Sequence, residues 1–155
     1  AGCPLLVDCD GATLSSVLPC KPDFIKPNTT ELAKLTGLPR THDPEEALEH
    51  VLPLREQGAQ TICASLGPNG AIFVFPNETP LYMVADAGPA DKSAVGSGDA
   101  MVGAIAHAYN QGMSNEELAK FAVAMGTASA KLPGTQMATM KEAYGVYETI
   151  KVYTM

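Results

Sequence analysis

The chain has 155 residues, with 17 acidic against 10 basic side chains and a formal net charge of −7. Its 46% hydrophobic and 17% charged content is enough for one core and excludes a disordered chain, so one domain, or a piece of one, is expected. The acidity argues against attraction to a phosphate backbone, and no run approaches the ~20 apolar residues of a bilayer span, so neither nucleic acid nor membrane is an expected partner.

The predicted elements begin at once. Leu5-Leu6-Val7-Asp8 has the apolar run of a buried parallel strand, and Ala1-Gly2-Cys3-Pro4 before it shows neither a charged leader nor a signal-peptide pattern. A weak helix is expected around Ala12–Leu18 and a strand over Asp23–Lys26. Thr29–Thr36 reads as a helix with Glu31 in its first turn and Gly37 as its stop. Asp43-Pro44 is a cap followed by proline at the first helical position, opening a helix to about Gln57 with Pro53 as a kink and Gly58 as terminator.

Gln60–Leu66 is strand-like, Gly67–Gly70 is a turn, and Ala71–Phe75 is the hairpin partner. Asn77–Pro80 turns again into a strand at Leu81–Val84, and Asp86–Ser93 is a polar connection. The glycine-rich Val95–Asp99 reads as a loop leading into an apolar helix from about Ala100 to Asn110. Ser114 with Glu117 forms a capping box for a helix to about Lys131, and Pro133-Gly134-Thr135 breaks it. Thr139 with Glu142 caps a final helix to about Ile150. Strands alternating with helices predict an α/β fold with a mostly parallel sheet.

Cys3, Cys9, Cys20 and Cys63 form no CxxC pair and have no histidine at zinc spacing, so they read as structural thiols in a reducing cytoplasm. His42, His50 and His107 are scattered and read as surface or packing residues.

Three segments could carry chemistry. Gly96 and Gly98 let the backbone turn tightly and aim several amides inward, beside the positive end of the next helix. That is a site for a transferring phosphoryl group. Asp99 would repel a bound phosphate but makes sense as the acceptor of a substrate hydroxyl proton; alternatively it is a favourable first-turn acid beside an ordinary glycine turn. Lys26-Pro27-Asn28-Thr29-Thr30-Glu31 lies where a strand end meets a helix start. The oxygens of Asn28 and Glu31 suit hydrated magnesium, or else they simply cap the helix. Ser65-Leu66-Gly67-Pro68-Asn69-Gly70 allows a flat molecule or a phosphate close to the backbone, or is only a hairpin turn. Neither a GxxxxGK[ST] loop nor a GxGxxG fingerprint is present.

In this order and spacing the segments resemble the PfkB (ribokinase-like) family of carbohydrate kinases over nearly the whole chain. The resemblance is to the phosphosugar branch, which comprises 1-phosphofructokinase, tagatose-6-phosphate kinase and the minor 6-phosphofructokinase. Its "KPN..E" is similar to Lys26-Pro27-Asn28 with Glu31, "SLG..G" to Ser65-Leu66-Gly67 with Gly70, and "VGAGD" to Val95-Gly96-Ser97-Gly98-Asp99. Phe121–Ala130 with Gly134-Thr135 resembles the stretch that walls the adenine.

The resemblance implies a three-layer α/β/α fold with a mostly parallel central sheet. It implies ATP and magnesium as cofactors, a phosphorylated ketohexose as the other substrate, a homodimer for the full-length protein and a cytoplasmic location. Asp99 would be the catalytic base, and the amides of Gly96, Ser97, Gly98 and Asp99 the anion hole. Asn28 and Glu31 would act through magnesium and phosphate; Lys26, Ser65, Gly67 and Gly70 would border the nucleotide, and Val123 and Thr127 would line the base pocket. Potassium, bound by some members through backbone carbonyls, would fall at Ser93, Val95, Ser129 and Gly134.

The sequence departs from the family at Ser97, where alanine is usual, and at Ala94 and Ala100, where hydroxyl residues are common. Members are about twice this length, so the chain resembles their C-terminal, nucleotide-binding half, without the N-terminal half that carries the β-lid and most sugar contacts. The reading from another class is a noncatalytic nucleotide-binding or structural fragment.

Overall fold

The computed structural model describes residues 3–86 and 95–155. The chain divides into two compact units, Ala1–Tyr82 with Thr154–Met155, and Met83–Tyr153. Among the described residues no helix is long and apolar enough to cross a membrane.

The first unit runs β1 (Leu6–Val7), α1 (Gly11–Val17), β2 (Phe24–Ile25), α2 (Thr29–Thr36), α3 (Pro44–Glu56), β3 (Thr61–Ser65) and β4 (Ala71–Val74), with short 3₁₀ turns at Leu18–Cys20 and Gly67–Asn69. β1 and β2 pair in parallel (Leu6 opposite Phe24), as do β2 and β3 (Ile25 opposite Ile62). β3 and β4 are antiparallel, from Ile62 opposite Val74 to Ser65 opposite Ala71. The sheet is therefore mixed: parallel across its first three strands, antiparallel at the hairpin. Thr61–Ala64 is buried without alternation, as a strand covered on both faces must be. Leu14, Ile25, Leu32, Leu54, Ile62 and Ile72 pack into the core of this unit.

Side chains fix the helix starts. Asp10 caps α1, Asp43 caps α3 with Pro44 behind it, and Asn28 with Glu31 closes a capping box on α2. Pro53 sits inside α3, which nonetheless continues to Glu56. Gly37 ends α2 in the left-handed region at φ 72°.

The second unit contains most of β5 (Leu81–Ala85), then α4 (Ser97–Asn110), α5 (Asn115–Ala130), α6 (Met140–Tyr147) and most of β6 (Ile150–Thr154). α5 packs on both α4 and α6. Gly126 marks the close approach of α4 and α5: a Cβ there would come within 2.5 Å of the Met101 Cγ.

Two expectations about elements are corrected. α4 starts at Ser97 rather than near Ala100, because Gly96, at φ 86°, is itself the residue that starts the helix. The last helix stops at Tyr147, and Ile150–Thr154 forms a strand, β6, where the helix was expected to finish.

Candidate functional site

Within the first unit the two strand-end segments come together. A parallel bridge pairs Asn28 with Ser65, so the start of α2 and the end of β3 stand side by side. Asn28 is exposed, and its Oδ1 accepts from the amides of Thr30 (2.9 Å) and Glu31 (3.0 Å). Glu31 Oε2 accepts from the Asn28 amide at 2.9 Å. The capping box engages one oxygen of each residue, and Glu31 keeps its second. Beyond Ser65 the chain turns through Gly67 (φ 65°) and Gly70 (φ 87°), conformations that glycine adopts without strain.

Lys26 is only 4% exposed, and its Nζ lies 3.3 Å from the Asp8 carboxylate. A buried ammonium needs such a partner. The surroundings are visible in two thiols. Burial pushes the Cys63 thiol up to about 12, with Lys26 pulling the other way. Cys9 is raised by burial first, then by the carboxylates of Asp10, Asp8 and Glu31. Among the described residues no cluster of three or more His, Cys, Asp or Glu could hold a metal by itself, and the cysteines are free thiols.

Within the second unit the glycine segment becomes a helix start. Among the described α-helices α4 alone begins without a side-chain cap, since Gly96 has none to offer. The first hydrogen bond inside the helix runs from Ala100 N–H to the Gly96 carbonyl at 2.9 Å. The amides of Ser97, Gly98 and Asp99 thus belong to the first turn. Asp99 is exposed on that turn. A Cβ placed on Gly96 would lie 3.7 Å from the Thr135 carbonyl oxygen, so Val95-Gly96 runs beside Gly134-Thr135.

On α5, Val123 is 3% exposed and belongs to the interior, while Thr127, one turn on, is half-buried. The Ser129 carbonyl accepts from Leu132 N–H at 3.0 Å, and its hydroxyl accepts from Ala138 N–H at 3.0 Å. Gly134 has φ 65°. Ser93 and the neighbouring Ala94 lie outside the described residues.

Two contacts at these positions were not legible in the sequence. Asp8 partners Lys26, and His42 Nδ1 reaches the Leu66 carbonyl at 3.1 Å. The first joins residues 18 apart and the second residues 24 apart, and no local motif signals either.

The profile of the family described as pfkB family carbohydrate kinase matches residues 1–142. A provisionally named phosphofructokinase from Staphylococcus aureus is 30% identical with a TM-score of 0.87, over 99% of this chain and 49% of that one. Phosphofructokinase-2 from Escherichia coli, solved with substrates and products and also with potassium, is 31% identical. In the complex with substrates and products its TM-score is 0.83 over 94% of this chain and 47% of that one. Ribokinase from Arabidopsis thaliana, solved with ribose and ATP, is 26% identical with a TM-score of 0.79, over 94% and 47%. The chain thus spans about half the length of the solved relatives it matches.

Proposed function

Because the chain belongs to the pfkB family of carbohydrate kinases, we propose that it is the nucleotide-binding, C-terminal part of a kinase that transfers the γ-phosphoryl group of ATP to a hydroxyl of a ketohexose phosphate. Tagatose 6-phosphate, fructose 1-phosphate and fructose 6-phosphate are the acceptors this reading admits, each giving a bisphosphate. The observation that carries it is the start of α4, a helix end without a side-chain cap and with an exposed carboxylate in its first turn. Phosphofructokinase-2 from Escherichia coli, solved with substrates and products, supports the choice of phosphosugar.

The chemistry follows from that geometry. The first-turn amides and the helix dipole, equivalent to about half a positive charge, stabilise negative charge as it builds on the transferring group. Asp99 takes the proton from the acceptor hydroxyl. The hydroxyl oxygen then bonds to the γ-phosphorus as the bond to the bridging oxygen breaks, and ADP leaves.

Asn28, Ser65, Gly67 and Gly70 would border the nucleotide, with Lys26 acting through its ion pair with Asp8 rather than as an exposed ammonium. Thr127, with Val123 behind it, would meet the base. Glu31 fits magnesium that keeps most of its water, because its second carboxylate oxygen lies outside the capping box and the ion asks for only one or two protein groups; Asn28, whose one side-chain oxygen already accepts two amides, would act through that water. Magnesium would supply charge neutralisation of the phosphates. The carbonyls of Val95, Ser129 and Gly134, with Ser93, would hold potassium beside the helix start; the potassium complex of the Escherichia coli protein supports this. A cytoplasmic location suits the free thiols, and a homodimer is the expected full-length assembly.

The test is Asp99→Asn in an active kinase that contains this chain, measured for kcat and ATP affinity together. Asparagine keeps the size and the backbone amides but accepts no proton. kcat should fall by about 10²–10⁴-fold with ATP affinity nearly unchanged. A variant retaining more than about a tenth of the wild-type kcat contradicts Asp99 as the base and favours a noncatalytic nucleotide-binding module.

A further inference from the structure

The chain between α2 and α3 is tied to both strand-end segments of the first unit. Arg40 Nε donates to Thr29 Oγ1 at 2.9 Å, and Thr29, directly after Asn28, is 5% exposed. Two residues on, His42 Nδ1 stands 3.1 Å from the Leu66 carbonyl oxygen. A carbonyl only accepts, so Nδ1 carries the proton in this contact. The traffic also runs the other way: Asn69 Nδ2 donates to the His42 carbonyl at 3.1 Å. Tyr82 Oη donates to the Asn69 carbonyl at 2.9 Å, so Asn69 is gripped on both sides.

The turn between these ties is weakly held by itself. Its internal bonds are Leu66 N–H to Gly70 O at 2.8 Å, Gly70 N–H to Gly67 O at 3.2 Å and Asn69 N–H to Leu66 O at 3.4 Å. One of the three is long and another is at the upper edge of the ordinary range, and both glycines have positive φ, so many other shapes are open to the free segment. The Gly67 amide takes no part in these bonds. Gly67 itself is exposed.

We propose that His42 is a positioning residue for the nucleotide site, holding the Gly67–Gly70 turn in its binding shape through Nδ1–H on Leu66 and through its own carbonyl on Asn69. The proposal rests on the kinase reading above. A turn ordered before the ligand arrives spares the ligand the cost of ordering it. Arg40 on Thr29 anchors the other end of the same connecting segment, which fixes where His42 sits.

The experiment titrates Mg·ATP into the 155-residue chain by calorimetry, for the wild type and for His42→Ala, His42→Asn and His42→Gln. Amide hydrogen exchange of residues 66–70 and a melting curve accompany each. The Asn amide nitrogen falls where Nδ1 stands, whereas that of Gln falls where Nε2 stands. His42→Ala and His42→Gln should raise the ATP dissociation constant by roughly 2- to 10-fold, the scale of one neutral hydrogen bond, and speed exchange in the turn. His42→Asn should restore both. Equal affinity for wild type and His42→Ala, or equal weakening by Asn and Gln, overturns the proposal while leaving the kinase reading intact. Absence of wild-type binding overturns both. Should His42→Ala not fold, His42→Gln against His42→Asn carries the test, and equal dissociation constants for those two overturn the proposal.

Discussion

Gly96 shows how one residue sets the chemistry of a helix end. Its φ of 86° is a conformation that costs a side-chain-bearing residue about 1–2 kcal/mol. The space around it is not the obstacle, since an added Cβ would stay 3.7 Å from its nearest neighbour. Gly96→Ala should therefore lower stability by about 1–2 kcal/mol in a denaturant titration without a packing defect. It should also weaken ATP binding, because the relaxed backbone re-aims the first-turn amides. Unchanged stability and affinity would mean that α4 does not need the left-handed start. The candidacy of Asp99 was legible in the motif that contains it. The partner of His42 was not, because side chains meet through the fold and the sequence between two residues 24 apart gives no sign of it.

Capping made the helices readable. α2, α3, α5 and α6 begin where Asn28, Asp43-Pro44, Ser114 with Glu117, and Thr139 with Glu142 place them. α4 was placed three residues late for the converse reason: a glycine cap leaves no side-chain signature, and Ser97-Gly98-Asp99 looks like loop. β6 was overrun because a five-residue strand carries too short an alternation to interrupt a helical pattern.

The capping boxes of α5 and α6 also predict a pH dependence. Hydrogen bonds from Ser114 lower the Glu117 carboxyl, and those from Thr139 lower Glu142, each from an ordinary 4.5. A carboxylate depressed on folding contributes stability that is fully present above its unfolded value and is lost as pH falls through the folded one. The double variant Glu117→Gln, Glu142→Gln should melt below the wild type at neutral pH, and the gap should close as pH drops below 4.5. Melting curves between about pH 7 and pH 3 check this; a gap that persists at the acid end would assign the effect to something other than the carboxylate charge.

At the scale of the whole molecule, each unit carries one part of the proposed machinery: the strand-end segments in the first, the α4 start and α5 in the second. The α/β class was legible from alternating strands and helices, and the family from four short motifs in order. The antiparallel hairpin inside the sheet was legible too, from the glycine turn at Gly67–Gly70. The chain spans about half of its solved relatives, and the proposed reading places the sugar contacts and the covering lid in a further part of such a kinase. Without a lid, water competes for the phosphoryl group and the acceptor is not held in line. The most direct measurement is a titration of the purified 155-residue chain with Mg·ATP, followed by an assay for ADP release with each ketohexose phosphate. The account predicts saturable binding of one nucleotide per chain and little or no turnover. Failure to bind ATP, or turnover at the ordinary kinase rate of roughly 1–100 per second, would contradict it.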